Sequence, residues 1–334
     1  MGAYLAALRE ELSESRHLLA QALDTIYLGG GTPTLLPANL LLDLASELGA
    51  MLGAGGELTV EANPGTIDES LLEKLLAAGV TRLSLGVQSF SPRRREALGR
   101  SVTRQELDSA LAAIKAVGPP EWSLDLIYGI PGQTWDELME DLDCAVEAMP
   151  PHISMYDLTY TPAYSERVRQ RLGDRVAEEA LAFAEANYAE ACHRLVAAGY
   201  RRYEISNFAL SGHECRHNQA YWNGADYLGL GASAVSTVGG ERLTNPASVD
   251  AYLLGESPSV EVLDKRTKLW ERAMLGLRTA AGVEEEAVSE VLVPTEVERL
   301  VAGGYLERHC GKLRVNAGFL DVSNSLISAV LTGR

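Results

Sequence analysis

Residues 25–52 decide the fold, and they read TIYLGGGTPTLLPANLLLDLASELGAML. The short run Thr25–Leu28 is rich in residues that favour strands, and it ends at three consecutive glycines, which suit a tight loop because they carry no Cβ. The Leu- and Ala-rich stretch Ala38–Leu52 has the composition and length of a helix. A strand, a glycine loop and a helix therefore follow one another here.

The same strand–loop–helix unit recurs along the chain. Further strands are predicted at Leu58–Val60, Arg82–Gly86, Ser123–Ile127 and His152–Leu158. The intervening helices are predicted at Asp68–Ala78, Arg104–Val117 and Trp135–Ala148. Thr134, with Glu137 three residues later, is a capping-box pattern for the last of these helices. Units of roughly 30–40 residues indicate parallel strands joined by helical crossovers. We therefore predict an α/β fold, a partial parallel (β/α) TIM-like barrel whose first strand is missing.

The rhythm of the sequence changes after Tyr160. Asp174–Ala198 predicts one long helix, and residues 200–234 are polar and rich in aromatics. A predicted helix at Lys265–Leu277 and a hairpin within residues 305–315 outline a small winged-helix-like domain. We expect three regions: the barrel, a connecting region and the C-terminal domain, over residues 1–200, 201–260 and 261–334.

Composition excludes some classes of function. The formal net charge of −17 argues against nucleic-acid binding, which needs a basic face. The clusters Arg93–Arg95 and Arg201–Arg202 are short, and we interpret them as solvated helix ends. No apolar run reaches the roughly 18 residues that span a bilayer, and residues 1–19 lack the pattern of a signal peptide. We predict a cytoplasmic protein without a transmembrane segment, and peripheral membrane contact is compatible with the sequence.

Small or polar residues stand at the ends of the predicted strands. Glu61 directly follows one strand and Gln88 comes just after the next, while Asp125 lies in the fourth of these strands and Thr159 just past the fifth. In a barrel of parallel strands these ends form the active site. Glycines admit a close backbone approach, carboxylates and amides bind hydroxyl or ammonium groups, and Arg100 is a fixed cation suited to a carboxylate. The set predicts a site for a small zwitterionic ligand.

Five motifs occur in order along the chain. They are GGGTP (29–33), EANP (61–64), GVQSF (86–90), LGR (98–100) and DLIYGIPGQ (125–133). This order resembles the S-adenosylmethionine-binding strand ends of the oxygen-independent coproporphyrinogen III oxidases and their radical S-adenosylmethionine (radical SAM) relatives. The resemblance covers nearly the whole chain. It implies that Gly30, Gly31 and Thr32 hold the methionine end of S-adenosylmethionine. It also implies that the rest of the pocket is lined by Glu61, Gln88, Arg100, Asp125 and Thr159.

Further motifs resemble the heme-chaperone branch of this family. HNQAYW (217–222) follows Cys215 and precedes GLGA (229–232), and Ser89 stands where the decarboxylases usually have Asp. The resemblance implies that heme is bound by His217, Asn218, Tyr221 and Trp222.

His217 is the residue that we expect to ligate heme iron, which binds neutral imidazole well. His213 is a second candidate ligand, and Cys215 is a weaker one. In the alternative interpretation, His217 only forms a hydrogen bond in a turn and Trp222 belongs to the core.

The cysteines lack the expected cluster motif. Radical chemistry in this superfamily uses a C-x-x-x-C-x-x-C loop whose thiolates hold a 4Fe–4S cluster. Residues 1–28 contain no cysteine, and the four cysteines of the chain are far apart, at positions 144, 192, 215 and 310. We expect Cys144 and Cys192 to be inert thiols, and we expect no disulfide framework. Either the sequence starts at an internal methionine and the full protein carries the motif, which we favour, or the protein is a cluster-less variant.

Three functions are compatible with these patterns. The first is binding of heme and S-adenosylmethionine with delivery of heme to an unknown acceptor protein. The second is enzymatic: oxidative decarboxylation of coproporphyrinogen III propionates through a 5′-deoxyadenosyl radical. The third is a degenerate scaffold that binds neither ligand. A 4Fe–4S cluster is expected only if the full-length protein has the upstream motif.

Overall fold

The computed structural model describes residues 1–19, 22–173 and 175–332. The chain divides into two compact units, one formed by Asp24–Cys215 and the other by Met1–Leu23 together with Arg216–Arg334. No helix in the described parts of the chain is long and apolar enough to cross a membrane. The domain boundaries expected at residues 200 and 260 stay predictions.

Short helices and strands alternate along much of the chain. The α-helices are α1 (Gly2–Ser15), α2 (Ala38–Gly49), α3 (Glu69–Ala77), α4 (Pro92–Ala97), α5 (Arg104–Val117), α6 (Trp135–Glu147), α7 (Pro162–Leu172), α8 (Val176–Ala197), α9 (Arg216–Trp222), α10 (Val249–Leu253), α11 (Lys265–Gly276), α12 (Pro294–Ala302) and α13 (Ser323–Val330). The strands are β1 (Leu23–Leu28), β2 (Leu52–Ala62), β3 (Arg82–Gln88), β4 (Glu121–Tyr128), β5 (His152–Asp157), β6 (Arg201–Arg202), β7 (Asn207–Ala209), β8 (Val235–Val238), β9 (Glu241–Thr244), β10 (Ser259–Val262), β11 (Val283–Glu284), β12 (Leu306–His309) and β13 (Lys312–Val315).

A seven-stranded sheet forms the first unit. Its strand order is β1-β2-β3-β4-β5-β7-β6, and β2 to β5 run parallel. β7 pairs antiparallel with both β5 and β6. The long, mostly parallel run with helical crossovers confirms the predicted partial TIM-like barrel.

The two faces of this sheet differ in polarity. Leu83 of β3 and Leu124 of β4 are buried in the apolar core shared with the helices. Because side chains alternate along a strand, the neighbouring residues Ser84, Ser123 and Ser154 lie on the opposite face. These three serines are buried as well. Burial of one Leu contributes about 2 kcal/mol, so the helix-covered face stabilises the sheet.

Side-chain caps define two crossover helices. Thr103 and Glu106 form a capping box at the start of α5, and Thr134 and Glu137 form another at the start of α6. The box predicted for α6 is therefore confirmed. Gly118, with φ +63°, ends α5 in the left-handed conformation that favours glycine.

The second unit contains the small C-terminal domain. Helices α11 and α12 are followed by the predicted hairpin, in which Leu306 of β12 pairs with Val315 of β13. The hairpin and helices share an apolar core that includes Val288, Leu300 and Leu313. An antiparallel sheet, β10-β9-β8, spans residues 235–262, most of which belong to the predicted connecting region.

The interpretation of Arg93–Arg95 as a solvated helix end is wrong for two of its residues. Arg94 and Arg95 are almost completely buried. Arg94 Nη1 donates to the carbonyl oxygen of Pro131 at 2.6 Å, and Arg95 Nη1 donates to that of Ser89 at 2.7 Å. These guanidinium groups therefore fasten loops of the first unit.

Candidate functional site

Glu61 lies at the centre of a polar group at the carboxyl ends of β1 and β2. The Tyr27 hydroxyl donates to Glu61 Oε1 at 2.9 Å. Burial raises the pKa of Glu61, while the Tyr27 hydroxyl, the backbone N–H of Gly30 and the charge of Arg100 oppose that rise. Burial and the nearby Glu61 charge also raise the pKa of Tyr27. The structure thus brings Gly30, Glu61 and Arg100 together.

The glycine loop leaves open space beside this carboxylate. A Cβ on Gly29 would lie 2.8 Å from Glu61 Oε1 and 2.6 Å from the Tyr27 ring, so no side chain fits there. Gly30 has φ +86°, which other residues rarely adopt. A Cβ on Gly30 or Gly31 would meet no atom within 4 Å. Thr32 follows directly and begins a short 3-10 helix. The loop can therefore receive a compact polar group such as an amino acid moiety.

Asp125 presents a carboxylate oxygen to which no residue described by the structure donates a hydrogen bond. Ser84 Oγ donates to Asp125 Oδ2 at 2.7 Å, and Ser123 Oγ donates to Ser84 Oγ at 2.9 Å. Asp125 Oδ1 is shielded from solvent and has no hydrogen-bond partner among the described residues. Burial, reinforced by the charge of Glu61, raises the pKa of Asp125 to about 6 against the hydroxyls of Ser84 and Ser154. An acceptor of this kind suits a ligand that brings a hydroxyl or N–H donor.

Gln88 stands in a strained turn at the end of β3. Its φ is +67°, and the N–H of Ser89 bonds the carbonyl oxygen of Val87 at 2.8 Å across it. The register between β3 and β4 shifts at this point. A Cβ on Gly86 would lie 2.9 Å from Gln88 Nε2, so the Gln88 side chain lies beside Gly86. Strain of this kind, in a non-glycine residue, is common at ligand sites.

The remaining predicted pocket residues are exposed. Arg100 follows α4, and its N–H bonds the carbonyl oxygen of Arg95 at 2.9 Å. Thr159 lies two residues after the end of β5. Sequence reasoning missed Tyr27. Side chains two residues apart along a strand face the same side of the sheet, so Tyr27, two residues before Gly29, could have been placed on the side of the glycine loop. Sequence reasoning also missed the serines around Asp125, of which Ser123 lies two residues before Asp125 on β4 and Ser154 pairs with it on β5.

The predicted heme residues lie together on α9. The rings of His217 and Tyr221 are 4.9 Å apart between centroids, as expected for positions four residues apart on a helix. Tyr227 extends the group, with its ring centroid 4.4 Å from that of Tyr221. Burial and Tyr227 raise the pKa of Tyr221 to about 12. Asn218 and Trp222 are half-buried, and α9 has no buried residue, so Trp222 is not a core residue.

His213 and Cys215 belong to a different group in the first unit. Arg82, which is almost fully buried, bonds Glu57 at 3.0 Å and Glu121 at 3.3 Å. His213 Nδ1 lies 2.9 Å from Glu121 Oε1, and Cys215 Sγ–H donates to Glu57 Oε1 at 3.4 Å. Arg82 and Glu121 begin β3 and β4, so this group lies at the strand ends opposite those of Glu61 and Asp125.

The cysteines of this chain do not fit a three-thiolate cluster. Cys144 is half-buried on α6, Cys192 is buried on α8, Cys215 is buried beside Glu57, and Cys310 is exposed in the β12–β13 turn. None is in a disulfide. Within residues 1–19, 22–173 and 175–332, no three or more His, Cys, Asp or Glu side chains are grouped so that they could hold a metal ion.

Comparison with known proteins identifies similar sequences and folds. Residues 3–145 match the sequence model of the Radical SAM superfamily. The chain is 36% identical over 296 residues to the heme chaperone HemW of Synechocystis, covering 85% of this chain and 71% of that protein. It is 37% identical over 326 residues to HemW of Haemophilus influenzae, covering 93% and 83%. For HemW of Bacillus subtilis the identity is 32% over 344 residues, covering 95% and 90%. The solved structure of the radical SAM enzyme coproporphyrinogen III oxidase (HemN) from Escherichia coli has a similar fold, with a TM-score of 0.79 at 21% identity, covering 98% of this chain and 82% of that one.

Proposed function

Because the chain belongs to the HemW heme chaperone family of the radical SAM superfamily, we propose that it binds heme and S-adenosylmethionine and delivers heme to an acceptor protein. The observation that carries the heme part is the group of three aromatic rings formed by His217, Tyr221 and Tyr227. A half-exposed imidazole beside flat rings suits a macrocycle that needs an axial ligand and apolar contact.

The proposed heme site comprises the residues of α9 that the sequence singles out. His217 would supply a nitrogen ligand to heme iron, and Tyr221, which is 39% exposed, would offer a ring face to the macrocycle. Trp222 and Asn218 complete the site with an aromatic surface and an amide. Because none of these side chains is buried, a large planar ligand can reach them from solvent.

The proposed S-adenosylmethionine site lies at the carboxyl ends of the parallel strands. The open space beside Gly30 and Gly31, with Thr32, suits the methionine end, whose ammonium carries a positive charge. The Glu61 carboxylate and the unsatisfied Asp125 Oδ1 are acceptors that suit the hydroxyl and N–H donors of S-adenosylmethionine. The remaining proposed contacts are Gln88, Arg100 and Thr159. When bound, S-adenosylmethionine supplies a sulfonium group, and for this chain we propose binding alone because its cysteines do not fit the cluster.

Titration with heme tests the first part of the proposal. We expect one heme per chain, followed by its Soret absorbance, and weaker binding by about tenfold or more when His217→Ala removes the axial ligand. His193→Ala is the matched control, because His193 is a solvent-exposed histidine on α8. His217→Ala binding heme as tightly as the wild type would contradict the assignment.

A second variant separates ligand loss from loss of folding. Tyr221→Phe keeps the ring and should keep heme affinity, whereas Tyr221→Ala should weaken it, with circular dichroism showing a folded chain in each case. Equal affinity in Tyr221→Ala and Tyr221→Phe would remove the aromatic contact from the proposal.

A further inference from the structure

Helix α6 stabilises the turn that carries Gln88 through hydrogen bonds to the two residues that follow it. Asp141, on α6, accepts a hydrogen bond from the Ser89 hydroxyl through Oδ2, at 2.7 Å. Its other oxygen accepts the backbone N–H of Phe90 at 2.6 Å. One carboxylate therefore bonds both residues that immediately follow Gln88, one through its side chain and one through its backbone.

A guanidinium group holds the same turn from a second direction. Arg95 Nη1 donates to the carbonyl oxygen of Ser89 at 2.7 Å, and Arg95 Nε donates to that of Val102 at 3.0 Å. The N–H of Ser91 bonds Ser89 Oγ at 3.1 Å. Ser89, Arg95 and Asp141 are 0%, 1% and 2% exposed, so water does not compete for these bonds.

The turn needs such support because its conformation is unfavourable. A non-glycine residue with φ near +67° costs about 1–3 kcal/mol, and it persists only where surrounding contacts impose it. The bonds to Ser89 and Phe90 fix the backbone directly after Gln88. They thereby fix the direction of the Gln88 side chain, which lies beside Gly86 on the polar face of the sheet.

We propose that Asp141 is a positioning residue, which holds the Gln88 carboxamide in the orientation that binds S-adenosylmethionine. The inference rests on the proposed S-adenosylmethionine site. Burial raises the pKa of Asp141 to about 6, so the ionised carboxylate is costly at this position. A group that only filled space would be apolar. Both Asp141 oxygens accept hydrogen bonds from the same turn, and this explains why an acid is buried at this position.

The choice of substitutions follows from these bonds. Asp141→Ala removes both acceptors and leaves the Phe90 N–H without a partner. Asp141→Asn keeps one carbonyl oxygen for Phe90 and can donate to Ser89 Oγ, so it should largely restore the turn. Tyr200→Phe is the matched control, because it removes a buried bond of 2.7 Å from a side chain to the carbonyl oxygen of Pro150 in the same unit. Gln88→Ala removes the positioned group itself.

The experiment has two readouts on the full chain. Equilibrium dialysis measures the affinity for S-adenosylmethionine, and hydrogen exchange followed by mass spectrometry measures protection of the Phe90 amide. We expect Gln88→Ala and Asp141→Ala to weaken binding by about tenfold, with Asp141→Ala also exposing the Phe90 amide. Asp141→Asn and Tyr200→Phe should bind within about threefold of the wild type, whatever their melting temperatures.

The outcomes separate the inference from the function on which it rests. If Gln88→Ala weakens binding while Asp141→Ala binds like Tyr200→Phe, the positioning role is wrong and the S-adenosylmethionine site stands. If neither the wild type nor Gln88→Ala shows specific binding, the proposed site fails. Unchanged exchange at Phe90 in Asp141→Ala overturns the positioning role whether or not the ligand binds.

Discussion

Two acidic side chains on one sheet share the same electrostatic situation. Burial raises the pKa of both Glu61 and Asp125, and the charge of Glu61 raises that of Asp125 further. A folded state that holds a proton more tightly than the unfolded chain loses stability as pH rises through the interval between the two pKa values. Such residues cost stability at neutral pH, which is the expected signature of groups kept for binding.

We predict that Asp125→Asn stabilises the protein at pH 8 and has little effect near pH 4. The pKa of Asp125 rises from 3.8 to about 6, and the corresponding cost of ionisation is about 3 kcal/mol at pH values above both. Burial is the main cause of this shift, the hydroxyls of Ser84, Ser154 and Ser123 oppose it, and the charge of Glu61 adds to it. Urea unfolding at both pH values measures the effect.

A control and a contrary outcome belong to this experiment. Asp43→Asn changes an exposed carboxylate on α2 and should give no pH-dependent gain. Asp125→Asn should also bind S-adenosylmethionine more weakly, because the amide has one acceptor oxygen instead of two and carries no negative charge. If Asp125→Asn is no more stabilising at pH 8 than at pH 4, Asp125 is not held in a costly ionised state.

At the residue scale, the sequence predicts which side chains carry chemistry better than it predicts which side chains are buried. Glu61 and Asp125 stand out in the sequence because acids at strand ends are conspicuous, and the structure brings them together. The prediction that Arg94 and Arg95 are exposed to solvent is wrong, because a local run of charged residues does not indicate which carbonyl groups the fold brings near them. The oxygens of Pro131 and Ser89 that hold these guanidinium groups reach them only through tertiary structure.

At the scale of elements, local signals explain which bounds are predictable. Helix α5 has the predicted bounds because Thr103 marks its start and Gly118 marks its end. The sheet β10-β9-β8 was not predicted, since its strands have four residues each and their pairing depends on partners along the chain. The hairpin of β12 and β13 is recognisable in the sequence because Gly311 marks its turn. In the structure, Cys310 and Gly311 form this turn, and both have positive φ.

Helix α6 carries Asp141, so its cap supports the candidate site. We predict that Thr134→Ala lowers the free energy of unfolding by about 1 kcal/mol, because Thr134 Oγ1 accepts the N–H of Glu137 at 3.3 Å. Thr134→Ser keeps the hydroxyl and should restore most of the loss. Thr103→Ala removes the equivalent cap of α5 and serves as the matched comparison. Denaturant unfolding measures all three, and an equal loss in Thr134→Ser would show that the methyl group, rather than the cap, is responsible.

At the scale of the whole molecule, the decisive comparison is between carrying a porphyrin and converting one. The strand-end motifs, which resemble those of the oxygen-independent coproporphyrinogen III oxidases, keep oxidative decarboxylation as the second candidate function. That reaction needs a cluster whose three thiolates the cysteines of residues 1–334 do not supply. Heme binding through α9 needs no such ligand set.

We therefore predict that the polypeptide of residues 1–334 binds heme without converting coproporphyrinogen III. The two measurements are heme stoichiometry by absorbance and protoporphyrinogen formation in the presence of S-adenosylmethionine and a chemical reductant. Heme binding without loss of carbon dioxide supports the chaperone function, and the His217→Ala variant in the same assay reports whether α9 is responsible. Product formation would favour the decarboxylase and would require a source of iron ligands beyond the four cysteines. A chain that is folded by circular dichroism yet binds neither heme nor S-adenosylmethionine would be a degenerate scaffold, because both proposed sites would then lack their ligands.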